Sequence, residues 1–258
     1  TQERVRGLGP AFKTLDELVQ SKAFRNMVSR ISSIPDLQYD PHYFGGGTHE
    51  NRQGQDLDPH IDFNYHPISR QHRRLNLIIY LNEEWEDDWG GSIQLHRDPR
   101  REPSEDEIVT VTPLMNRCVM FETTEHSWHG FPRIDLPEDK QHLSRRSFAL
   151  YFYTRDRPAE ETATEHSTVY VERHLPEYIR AGETLDEHGL EEIKRLLARR
   201  DQHLKRLYGT IQRLHGELAK QRQDSMVDML KRKVHDFETS TSWRVTAPLR
   251  AVRSWFRR

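Results

Sequence analysis

The residues of this chain best suited to chemistry stand in "DLDPHIDFNYHP", where His60 and Asp62 flank Ile61. On an extended strand alternate side chains share a face, so His60 and Asp62 point one way and Ile61 the other. An imidazole beside a carboxylate suits a metal ion; the competing reading is a surface histidine next to a turn-forming aspartate. A third ligand is offered in "EHSWHGF" by His129, with His126 competing from three residues earlier and, if the segment is extended, from the opposite face. Two histidines and one carboxylate, with the other coordination positions open, form the facial set used for non-haem Fe(II). The remaining histidines, among them His42, His49, His66 and His72, read as structural or surface groups.

A second anchor is "SRRSFALYFYT", in which Arg145 and Ser147 share a strand face. A guanidinium buried in a β core needs an anionic partner, because an unpaired buried charge is costly. A cosubstrate carboxylate would satisfy it through two parallel hydrogen bonds, with the serine hydroxyl adding a third. An internal salt bridge at the strand entrance is the alternative. Arg74 shares a face with Tyr80 and reads as a surface ion pair, with an anionic substrate as the other option. The glycines of "YDPHYFGGGTHEN", ahead of His60, suit either a loop closing over the site or a structural turn.

The elements that must position these groups follow from pattern. Thr14 and Glu17 match a capping box, and apolar residues at helical spacing predict an amphipathic helix over 14–33, stopped by Pro35. From 37 to about 155 the chain turns to short strand-like runs, "LQYD", "RLNLIIYLN", "GSIQLH", "EIVTVT", "RCVMFE" and "SFALYFYT", punctuated by "GGG" at 45–47, "GG" at 90–91, and Pro113 with Asn116. That texture predicts a sandwich or barrel-like β domain. The charged stretch 97–107 reads as a surface loop.

Strand texture ends near 156. From Leu190 a seam of Leu190, Ile193, Leu197, Leu204, Leu207, Ile211, Leu214 and Leu218 runs at alternating spacings of three and four, interrupted by Arg200. It fits either a coiled coil or a helix packed on its own domain. Register is lost around Gln221–Ser225, and Leu230, Val234 and Phe237 resume an apolar stripe. The tail 241–258 carries arginines and no acid, interleaved with Trp243, Trp255 and Phe256, a composition for an anionic membrane surface or a docked, otherwise disordered segment.

Together the residues carry a resemblance. The chain resembles the 2-oxoglutarate and Fe(II)-dependent dioxygenases, in their prolyl-4-hydroxylase-like branch: H-x-D at His60 to Asp62, a distal histidine before glycine at His129, and R-x-S at Arg145 to Ser147 follow in the family's order. "RRLNLIIYLNEEW" and "WGGSIQLH" resemble the branch's strand ending in Tyr-Leu-Asn and its Gly-Gly turn. Over 37–155 the resemblance implies a double-stranded β-helix, a jelly-roll variant, with buttressing helices. It implies His60, Asp62 and His129 as iron ligands, favouring His129 over His126. It places Arg145, with Arg146 as fallback, on the distal carboxylate of 2-oxoglutarate, Tyr80 as a hydroxyl donor to it, and Asn76 on the pocket wall. Asn116 stands where the branch has glycine, and "IDLPEDKQHLS" lengthens the run from His129 to Arg145.

The implied activity hydroxylates an unactivated C–H bond with succinate and CO2 as coproducts, and Asp62 favours hydroxylation over halogenation. Its cofactors are Fe(II), 2-oxoglutarate and O2, with ascorbate as an accessory reductant. The substrate is a prolyl or other residue of a polypeptide, or a glycan or small metabolite. A jelly-roll scaffold without turnover, acting through its C-terminal helix, is the rival class. "STSWRVTAPLR" is similar to a motif of bacterial surface-polysaccharide biosynthesis proteins, including glycosyltransferases, which points to glycan assembly.

The expected organisation is helical support over 1–36, the α+β dioxygenase domain over 37–160, a linker over 161–189, a helical or coiled-coil segment over 190–240 and a basic aromatic tail over 241–258. The helix is the place for a homo-oligomer or protein partner, and the tail for peripheral membrane contact. A net charge of −2 argues against nucleic acid as a partner of the main body. Cys118 is the sole cysteine, so no intramolecular disulfide forms and a reducing, cytoplasmic setting is expected. No apolar run is long enough to span a bilayer. The start on "TQERVRG" leads us to expect an upstream piece.

Overall fold

A computed structural model describes residues 1–102, 104–176 and 178–250. The chain divides into two units, Thr1–Thr184 and Leu185–Arg258.

The first unit opens with α1 (Gln2–Arg6), α2 (Pro10–Gln20) and α3 (Lys22–Ser32). The single helix expected over 14–33 is thus two helices. Ser21 is extended and its hydroxyl accepts from the Phe24 N–H at 3.2 Å, capping a new helix in the middle of the apolar seam. The capping box at Thr14 does not form either: Pro10, with its preset φ, opens α2 four residues earlier.

The described residues then form β1 (Gln38–Tyr39), β2 (Gly47–Asn51), β3 (Leu57–Ile61), β4 (His72–Tyr80), β5 (Ile93–His96), β6 (Ile108–Val111), β7 (Cys118–Glu122), β8 (Trp128–Phe131), β9 (Arg145–Thr154) and β10 (Val169–Tyr170). One antiparallel sheet runs β1-β9-β4-β7, with β2 also paired to β9; the other runs β10-β3-β8-β5-β6. Alternation along β4 divides its side chains. Leu75 and Leu77 pack with Phe148, Leu150 and Phe152 of β9 against Val5, Val19 and Val28 of the helices. Ile78 and Tyr80 point the other way, into a cluster with Ile93, Leu95 and Val111 of the second sheet. The site lies between the sheets, on that inner face.

Two irregularities shape the inner face. In β4 the register shifts between Arg73 and Leu75, and in the β3–β8 pair it shifts between Leu57 and His60. A bulge leaves one extra residue and moves those beyond it to the other face. Gly47 begins β2 rather than closing a turn, and Asn116 takes the left-handed φ of +61° that the turn before β7 requires.

Strand structure does not stop near 156. β10 pairs with β3, Val169 opposite Ile61 and Tyr170 opposite His60, so the expected linker over 161–189 contributes an edge strand to the second sheet. The cause is local: two residues suffice for β10, too few for a periodic signal, and ion pairs hold the rest of the segment.

In the second unit α4 (Glu187–Thr239) starts at Asp186, whose carboxylate accepts from the Gly189 N–H at 2.7 Å. It runs unbroken through Gln221–Ser225, where only the apolar register is lost. Leu197, Leu204, Leu207, Ile211, Leu214 and Leu218 are all exposed. Ser240 ends α4 and caps α5 (Thr241–Val245). Trp243 packs on Phe237 and under the Arg250 guanidinium. Trp255 and Phe256 of the expected tail lie outside the described residues. No helix among the described residues is long and apolar enough to cross a membrane.

Candidate metal centre and cosubstrate pocket

His60 near the end of β3 and His129 in β8 stand directly opposite each other, their ring centroids 4.2 Å apart. Both are buried. Each ring presents Nδ1 to the backbone carbonyl two residues before it, Asp58 for His60 and Ser127 for His129, both at 2.9 Å. A carbonyl only accepts, so Nδ1 carries the proton in each ring and Nε2 is left with its lone pair. Both Nε2 atoms face Asp62, at 3.8 and 3.5 Å from its carboxylate oxygens. One donor atom from each of the three residues lies within 4.8 Å of the others. Two neutral imidazoles and one carboxylate on one face suit Fe(II) and leave other positions for small ligands.

His126 is exposed in the turn before β8 and is not part of the group. Gly130, next to His129, is required by space: a Cβ there would lie 2.6 Å from the Leu57 carbonyl oxygen.

Burial, reinforced by the neighbouring His129, pushes His60 down to about 3, and burial also lowers His129. Burial alone would raise Asp62, but the charge of Arg73 and the two imidazoles hold it below the carboxylate range. Both histidines are therefore neutral and the aspartate ionised at neutral pH, the states that metal binding demands.

Arg73 is not legible in the sequence. Alternation from Tyr80 puts Arg74 on the inner face, but the β4 bulge brings Arg73 inward as well. Its guanidinium lies 3.0 Å from Asp62 Oδ2 and stacks 3.6 Å from the centre of the Tyr151 ring. Arg74 instead pairs with Glu122 at 2.9 Å and Glu161 at 3.0 Å, the ion-pair reading. Asn76 lines the pocket as expected, yet its amide is already engaged. Nδ2 donates to Asp62 Oδ2 at 2.7 Å and Oδ1 accepts from Arg73 at 2.8 Å, so it orients a ligand.

Beyond the metal site the same cavity, of about 340 Å³, continues to Arg145 and Ser147 at the start of β9. Arg145 is 5% exposed. Its Nε donates to the Gly91 carbonyl at 2.6 Å and its Nη2 to the Tyr80 hydroxyl at 3.2 Å. Among the described residues no carboxylate lies within ion-pair distance of it, which removes the internal salt bridge. Burial depresses its pKa. Arg146 points to the opposite, exposed face. Gly91, at φ +69°, lets the turn reach the guanidinium; a side chain there would press on the Arg145 chain at 3.2 Å.

The walls include groups that carry no pattern signal: His49 and Asn51 of β2, Phe131 of β8, Tyr151 of β9, and Thr168 and Tyr170. His49, expected to be structural or on the surface, is exposed as a residue and also lines the cavity from β2. Partial burial and the Arg145 charge lower its pKa. A larger depression of about 770 Å³ over α3 and β1 is lined by Lys22, Arg25 and Arg30 and holds no histidine.

Residues 46–153 match the family model described as the 2OG-Fe(II) oxygenase superfamily. Among solved structures, a Phytophthora capsici prolyl 4-hydroxylase is 24% identical with a TM-score of 0.39, over 54% of this chain and 42% of that one. A Pseudomonas putida prolyl-4-hydroxylase is 15% identical with a TM-score of 0.37, over 55% and 66%. A non-heme monooxygenase, ThoJ, in complex with nickel is 18% identical with a TM-score of 0.35, over 80% and 86%. The chain thus spans less than two thirds of the length of the two prolyl hydroxylases. No curated protein matches it.

Proposed function

We propose that this chain, whose residues 46–153 match the family model of the 2OG-Fe(II) oxygenase superfamily, is an Fe(II)- and 2-oxoglutarate-dependent dioxygenase on a double-stranded β-helix, hydroxylating an unactivated C–H bond. The observation that carries this reading is Arg145. A guanidinium buried in the wall of a cavity, with neutral partners only, is stable when an anion enters to meet it.

When bound, Fe(II) and 2-oxoglutarate supply the activation of dioxygen that C–H hydroxylation needs. His60, Asp62 and His129 would hold the metal, and Arg145 with the Tyr80 hydroxyl and Ser147 would bind the far carboxylate of the cosubstrate. Arg73 and Asn76 both engage Oδ2 of Asp62 and so fix the orientation of its carboxylate. Ile78, Ile93 and Phe131 give the same cavity an apolar lining. Succinate release by Fe(II)-loaded protein, above a His60→Ala control, tests the reading; equal release by the two would overturn it.

The second unit carries a proposal of its own: α4 pairs with a second copy of itself. The support is a row of exposed leucines at the spacing of a coiled-coil seam, which no described residue of that unit covers.

A further inference from the structure

The segment after β9 lies beyond the residues matched by the superfamily, yet it is built into the metal site. Its first anchor is Glu161, paired with Arg74 at 3.0 Å. Next, Asn64, two residues past Asp62, donates to the Thr164 carbonyl at 2.9 Å and accepts from the His166 N–H at 3.0 Å. β10 then runs along β3, and the Val171 N–H donates to the Pro59 carbonyl at 2.9 Å.

Two side chains of this segment reach the ligand strands. The Tyr170 ring stacks on the His60 imidazole, centroids 5.1 Å apart and planes 25° from parallel. Arg173 sits where the β3–β8 register shifts. Its Nη2 donates to the carbonyls of Leu57 at 3.0 Å and Phe131 at 2.9 Å, one from each strand, and its Nε donates to Asp58 Oδ1 at 2.8 Å. Leu57 and Phe131 are register partners on the far side of the bulge from His60 and His129. The ladder is interrupted there, and the guanidinium bridges the two strands in its place. Asp58 is held twice, since its own carbonyl fixes Nδ1 of His60.

We propose that residues 169–173 are a positioning element of the metal centre: Tyr170 holds the plane of the His60 imidazole, and Arg173 sets the separation of the two strands that carry His60 and His129. The inference rests on the metal-site reading. Outer contacts that orient metal ligands typically contribute about 10–100-fold in metal affinity. In this role Tyr170 and Arg173 act through the ligands.

The test uses the full chain and Co(II) as the probe, with affinity and the visible spectrum of the bound ion both recorded. Arg173→Met and Tyr170→Ala should each weaken Co(II) binding by about 10-fold or more and alter the spectrum. Tyr170→Phe, which keeps the ring, should bind more tightly than Tyr170→Ala, and Arg173→Lys, which can satisfy only part of the site, should fall between wild type and Arg173→Met. Wild-type affinity and spectrum in both Arg173→Met and Tyr170→Ala would overturn the proposal while leaving the metal site standing. Should Arg173→Met fail to fold by circular dichroism, the Tyr170→Ala and Tyr170→Phe pair decides it. A wild-type chain that binds no Co(II) would overturn both readings.

Discussion

At the scale of single residues the site is a balance of buried charge. Asp62 stays ionised because Arg73 faces it, and Arg73 tolerates burial because Asp62, Asn76 and the Tyr151 ring surround it. Removing one partner of a buried pair costs about 3–5 kcal/mol. Arg73→Met should therefore lower the stability of the metal-free protein by that order. Added Mn(II) should recover part of it, because the ion supplies the missing positive charge; equal losses with and without Mn(II), read by chemical denaturation, would contradict this role. The histidines set the pH dependence. The unfolded chain takes a proton on each near pH 6.5, whereas folded His60 resists until about 3. The unfolded state binds more protons below pH 6.5, so metal-free stability should fall as pH drops from about 6.5 toward 3, and His60→Gln should flatten that slope. The pairing of His60 with Asp62 was legible because strand alternation is a two-residue rule, whereas the choice of His129 over His126 and the role of Arg145 came from the family resemblance. Arg73 was hidden because one bulge residue inverts the rule, and nothing in "QHRRLN" marks where the bulge falls.

Elements position these residues by close approach. β8 can lie against β3 only because Gly130 has no side chain, and the Gly90–Gly91 turn can reach Arg145 only because both glycines adopt φ near +70°. At Gly90 a Cβ would stand 1.8 Å from the Arg133 carbonyl oxygen. Gly130→Ala should separate β3 from β8 and weaken Mn(II) binding more than it lowers the melting temperature, whereas Gly90→Ala should lower the melting temperature first. The reverse order, by titration and thermal denaturation, would count against this division. Strands β4, β7 and β9 were legible because apolar and β-branched residues fill them. β2 and β10 were not: "GTHEN" and "VY" lack such a run, and they are strands because β9 and β3 offer them an edge. The same limit applies to the helices, where one serine cap at Ser21 divides what periodicity joins.

On the scale of the whole molecule, the two units differ in what they leave unmet. Among its described residues the first buries most charged groups in pairs and leaves Arg145 without a carboxylate partner; the second leaves its apolar seam exposed. If α4 self-associates, the full chain should run as a dimer or higher oligomer by light scattering, and Leu207→Glu with Leu214→Glu should return it to a monomer. A monomeric wild-type chain would remove that reading without touching the first unit. The seam was visible as a period, but a period alone does not say what it faces. The substrate was not visible at all, since the cavity walls specify a cosubstrate and a metal more sharply than the group to be oxidised. The central claim is the anion site at Arg145 beside a metal held by His60, Asp62 and His129. Calorimetric titration of 2-oxoglutarate into the Mn(II)-loaded full chain tests it most directly. Wild type should bind one equivalent. Arg145→Met, with Mn(II) still held, should lose at least about 1.5–3 kcal/mol of binding free energy, the range of a hydrogen bond to a charged group. Equal binding by the two proteins, or none by wild type, would contradict it.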